Sequence, residues 1–92
     1  MEKRIGLIAI LVTDKSSIPQ LNAIISAHSD IVLGRQGMPL HDRGVSVISL
    51  IVEGTTDQIG AATGKLGRLK GIQVKSVLTN YRENVHDFIE QT

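Results

Sequence analysis

The sequence predicts an α+β domain of the ferredoxin-like βαββαβ order, an antiparallel sheet of order 4-1-3-2 with two helices on one face. Three observations carry this. Ile5–Val12 and Val45–Val52 are strand-length runs with apolar residues at both odd and even positions, as strands covered on both faces require. Two segments with helical spacing of apolar residues alternate with the strands. The remaining two strand segments carry the polar residues, which suits edges, and right-handed crossovers independently place strands one and three in the centre.

The first strand, Ile5–Val12, follows the charged Met1-Glu2-Lys3-Arg4. Thr13-Asp14-Lys15 comes next with no small-residue cleavage site, so the run is a strand and not a signal peptide. Asp14 or Ser17 opens the first helix. Ser17-Ile18-Pro19-Gln20 has the form of a capping box, and proline is tolerated in a first turn. Ile18, Leu21, Ile25 and His28 then share a face, with Ile24 beside them. Asp30–Gly37 reads as a more polar strand, and Gly37–Gly44 as the turn, because Pro39 is foreign to a central strand. The second two-faced strand follows. Thr55-Thr56-Asp57-Gln58 is another capping box, opening a helix that buries Ile59, Ala62, Thr63, Leu66 and Leu69 and stops at Gly71. Ile72, Val74, Ser76 and Leu78 alternate with Gln73, Lys75, Val77 and Thr79, the pattern of a half-exposed strand. Residues 1–80 form the domain. Residues 81–92, with Tyr81, Val85, Phe88 and Ile89 at helical spacing, form a C-terminal helical tail that docks on the domain or frays, or that covers part of the open sheet face or clasps another subunit.

Two helices cover one sheet face, and the apolar second face needs a partner. A homo-oligomer, dimer or tetramer, built through the sheet is the first functional expectation. The length supports it, since a chain of 92 residues buries only about 60–65% of its unfolded surface. Formal net charge is +1, without the basic stripe that direct nucleic-acid binding uses. The longest apolar run has eight residues, short of a membrane span, and a cytoplasmic location is the default. With no cysteine, disulfides, thiol catalysis and cysteine-ligated metals are excluded, a copper-chaperone version of the fold among them.

Catalytic motifs fail one by one. Gly60-Ala61-Ala62-Thr63-Gly64-Lys65-Leu66 suggests a phosphate loop, but the glycine spacing is wrong, no Ser or Thr follows the Lys, and the segment lies within a helix. Its small residues suit close helix–sheet or helix–helix packing. An acylphosphatase-like site needs an arginine after the first strand, and Leu11-Val12-Thr13-Asp14-Lys15 has none. The central strands lack aromatics on which RNA bases could stack. His28, His41 and His86 have no chelating spacing, so no metal site and no cofactor are expected within one chain. His28 reads as a structural residue at a helix C-terminus. The residues best placed to grip a ligand are Thr13 and Asp14 at the first strand–helix turn, and Arg35, His41 and Arg43 near the hairpin, where arginines could hold a carboxylate bidentately.

The chain also resembles a family of stand-alone ACT-like domains described as proposed regulators of the iron-only hydrogenase system. These are similar in turn to the ligand-binding C-terminal domain of nickel-responsive repressors. The resemblance spans Glu2–Val77 and rests on Met1-Glu2-Lys3-Arg4, Gly37-Met38-Pro39, the Asp57–Gly67 stretch ending Gly-Lys-Leu-Gly, and Gly71-Ile72-Gln73-Val74-Lys75. It implies a non-enzymatic regulatory module that oligomerises through its sheets and binds a small effector between subunits. Of the histidine cluster and cysteine that nickel repressors use, this sequence offers His41 alone. Because the first strand begins at once, no DNA-binding ribbon is expected, and a role in transcription requires a protein partner. The alternatives are an adaptor acting through protein–protein contacts, with the tail as docking helix, and a metal sensor.

Overall fold

The computed structural model describes residues 2–82. Four strands, β1 (Arg4–Val12), β2 (Val32–Leu40), β3 (Val45–Gly54) and β4 (Ile72–Arg82), form one antiparallel sheet of order β2-β3-β1-β4. Helices α1 (Ile18–Ala27) and α2 (Thr56–Gly67) lie between β1 and β2 and between β3 and β4 in sequence. The predicted order is the observed one, with the two-faced apolar strands in the centre.

The core sits between sheet and helices. Ile8, Ile10 and Val12 of β1 and Ile48, Leu50 and Val52 of β3 meet Leu21 and Ile25 of α1 and Ile59, Ala62 and Leu66 of α2. Fully burying one such large aliphatic side chain is worth about 1.5–3 kcal/mol, so this single layer supplies the main stabilisation. Thr55 caps α2 as expected: its hydroxyl accepts from the Gln58 N–H, and the Gln58 side chain accepts from the Thr55 N–H.

The expected box at Ser17 does not form. Ser17 is buried, and its Oγ donates instead to the Lys70 carbonyl at 2.6 Å. Asp14 does the capping one step earlier, accepting from the Ser16 N–H in front of a 3-10 turn at Lys15–Ser17. The hairpin also differs. β2 begins at Val32 after a 3-10 turn and runs through Gly37, Met38 and Pro39 to Leu40, and the connection is only His41–Arg43, closed by Gly44. Pro39 is tolerated because β2 is an edge strand.

β4 is longer than expected and includes Tyr81 and Arg82, two residues assigned to the tail helix from sequence. Arg4 pairs with Arg82 but Gly6 with Leu78, so β4 bulges here. Thr79 fills the irregularity by donating to the Ile5 carbonyl and accepting from the Tyr81 N–H. The rest of the expected tail helix lies outside the described residues.

Of the small residues of α2, Ala62 packs into the core, but the glycines do not serve helix–sheet packing within this chain. A Cβ added at Gly60, Gly64 or Gly67 would meet nothing within 4 Å. Gly71 is the opposite case: its φ is +70°, and a Cβ there would overlap Asp14. Denaturant unfolding should therefore show Gly64→Ala stabilised by roughly 0.5–1 kcal/mol. Gly71→Ala should lose about 2 kcal/mol or more, from left-handed strain plus the steric clash.

Candidate functional site

The register brings the candidate residues to one end of the sheet. Val12 pairs with Ser46, and Ser46 with Pro39, so the β1–α1 turn and the hairpin tip lie side by side. Their environments differ.

Thr13 and Asp14 belong to a latch between two loops. The Thr13 N–H and hydroxyl both donate to the Gly71 carbonyl, at 2.7 and 2.9 Å. Asp14 Oδ1 accepts from the Ser16 backbone N–H and hydroxyl, and Oδ2 lies 3.9 Å from Lys70 Nζ. The turn after β1 is thus bolted to the turn before β4. The Ser16 hydrogen bonds, helped by Lys70, hold the Asp14 carboxyl below the usual carboxylate range. Thr13 and Asp14 are pre-organised, with most of their hydrogen-bonding capacity committed to the fold.

His41 and Arg43 sit at the exposed hairpin tip, where Arg43 Nε is 3.8 Å from Asp42 in a solvent-exposed pair worth little. Arg35 is placed differently. It lies opposite Leu50 on the helix-covered face of β2, and its Nη2 donates to Asn22 Oδ1 of α1 at 2.9 Å. Between the start of α1 and the hairpin runs a groove of about 360 Å³, lined by Ile18, Arg35, Gly37, Pro39, Ser46 and Ile48. Apart from Arg35, sequence reasoning missed this set. Gly37 and Pro39 had been read as turn residues, and only the β2–β3 register puts them opposite Ile48 and Ser46.

The other candidate surface is the sheet face away from the helices. Leu7 (47% exposed), Ile51 (45%) and Val77 (62%) form one cross-strand row, and Leu11, Val47 and Met38 a second. Among the described residues, no group of three His, Asp or Glu side chains is arranged to hold a metal ion. No described helix is long and apolar enough to cross a membrane.

A βαββαβ chain with a four-stranded antiparallel sheet of order β2-β3-β1-β4 and two helices is an ACT-like architecture. The chain belongs to the TM1266-like family, whose model, described as "Iron-only hydrogenase system regulator, putative", matches residues 4–76. Among solved structures it is similar to the uncharacterized protein TM1266 from Thermotoga maritima, with 32% identity over 86% of this chain and 100% of that one, TM-score 0.82. The ACT domain from the GTP pyrophosphokinase of Chlorobium tepidum shares the fold at 19% identity, covering 82% and 99% of the two chains, TM-score 0.70. So does the C-terminal domain of the MgtC protein from Mycobacterium tuberculosis, at 12% identity, 85% and 89% coverage and TM-score 0.65. No curated protein matches the sequence.

The lowered Asp14 pKa has a thermodynamic consequence of fixed sign. A carboxylate whose folded pKa lies below its unfolded value stabilises the fold above the unfolded value, and that contribution disappears as pH falls through the folded one. Asp14→Asn should therefore flatten the acid limb of the stability–pH curve below about pH 4 and leave its shape at neutral pH unchanged, as urea titrations across pH would show.

Proposed function

We propose that this chain is a non-enzymatic regulatory module that works as a homo-oligomer, dimer or tetramer, with open sheet face packed on open sheet face. A small effector held at or beside that interface favours one subunit arrangement. The observation that carries the reading is the open face itself. Leu7, Met38, Val47, Ile51 and Val77 are all exposed there, in two apolar rows on either side of Gln36, Ser49, Ala9 and Lys75, and no helix among the described residues covers them. Large exposed apolar patches on a protein surface commonly mark interaction sites. Burial against a second copy removes it, and the same patch on both partners suits a two-fold interface. The family's description as a regulator supports the functional half of the reading. An effector acts on such an assembly only through different affinities for its arrangements, so its site must feel the subunit contact.

Ile51 lies on a central strand in the more apolar of the two rows, where a lysine would carry a charge into any sheet–sheet contact at a cost of several kcal/mol. Sedimentation velocity should show the wild type as a dimer or larger at micromolar concentration. Ile51→Lys should be a monomer with an unchanged circular dichroism spectrum. A monomeric wild type, or a lysine variant that still associates, would sink the sheet-to-sheet arrangement.

A further inference from the structure

We infer that the groove between the start of α1 and the β2–β3 hairpin binds a small carboxylic acid with a short, branched apolar body, the acid held by Arg35. The inference rests on the effector-responsive reading above and gives that effector a place and a chemistry.

Three features converge on it. Arg35 has no acidic partner among the described residues; its guanidinium donates from Nη2 to the neutral Asn22 carboxamide oxygen at 2.9 Å. That bond tethers the guanidinium to α1 beside the groove, and a guanidinium has five N–H donors in a planar fork, so most stay free for a carboxylate. The walls are otherwise largely apolar: Ile18 and Ile48 on the inner side and Pro39 toward the hairpin tip, with Ser46 the one hydroxyl. One cation among aliphatic walls suits a carboxylate carrying hydrocarbon.

Gly37 supplies the third feature. Its φ is not positive, so its backbone does not require glycine. A Cβ there would meet only Ile48 Cγ1 at 3.9 Å and the Val47 carbonyl at 4.0 Å, ordinary van der Waals contact. Glycine in mid-strand weakens a sheet and often marks a close approach by something else. Here the missing side chain lies opposite Ile48 on the covered face, and its absence leaves the groove open. The groove's volume, about 360 Å³, is at the lower end of the range for small-molecule sites.

The test uses 3-methylbutanoate as probe and its uncharged amide as the isosteric control, titrated into isotope-labelled full-length protein and followed by amide chemical shifts. Saturable shifts at Ile18, Gly37 and Ser46 are expected with the acid and none with the amide. Arg35→Gln should weaken binding by about tenfold or more, the worth of a charged hydrogen-bonded pair. Gly37→Val, which suits a strand and fits the available space, should abolish binding by filling the groove while leaving circular dichroism and sedimentation unchanged. Equal titration by acid and amide, full affinity in either variant, or no saturable shift would overturn the inference. Sedimentation of the same samples separates the two ideas, because a groove that fails to bind in an intact oligomer leaves the association reading standing.

Discussion

The structure depends on one imbalance: two central strands largely apolar on both sides, and, among the described residues, helices on one side alone. β1 and β3 bury Ile8, Ile10, Val12, Ile48, Leu50 and Val52 under α1 and α2. Their opposite faces present Leu7, Leu11, Val47 and Ile51. The hydrophobic effect is proportional to area and indifferent to direction, so the second face carries the same kind of driving force as the first. The first is satisfied within the chain. The second is the physical ground on which association is proposed.

The sheet was legible from sequence because its signals are local. Continuous apolar runs mark central strands, and Thr55 and Gln58 announce the start of α2 within four residues. What sequence hid depends on partners far along the chain. Ser17 looks like half of a capping box, yet its hydroxyl is taken by the Lys70 carbonyl, 53 residues away. Gly71 looks like an ordinary helix stop, but it is also the acceptor for Thr13 and the position where Asp14 leaves no room for a side chain. Gly37 and Pro39 look like a turn, because glycine and proline are turn residues wherever the edge of a sheet is not known. Of the five candidate site residues, Thr13 and Asp14 are tied into the latch, His41 and Arg43 stand at the exposed tip, and Arg35 alone borders the groove.

The latch and the groove divide the work at one end of the sheet. The β1–α1 turn is fixed by bonds to Gly71 and Lys70, which makes it a rigid wall. Beside it β3 is held in the core through Ile48, Leu50 and Val52, while the edge strand β2 has the Arg35–Asn22 bond as a direct link to α1. The hairpin that borders the groove also contributes Met38 and Val47 to the open face, so groove and open face share one element.

The central position of β1 also governs how quickly the domain can form. Its neighbours are β3 and β4, with Arg4 opposite Gly54 and Val12 opposite Ile72, so neither of its ladders can be made by a nearby hairpin. The β2–β3 hairpin is the one strand pair that can close locally. Loop-closure entropy must be met before the long-range pairings stabilise anything, and such high contact order slows folding relative to a helical domain of equal length. During that interval Ile5–Val12 is an unpaired strand with two apolar faces, the element most exposed to pairing with the wrong chain. The same eight residues that organise the finished sheet are its chief hazard before it closes.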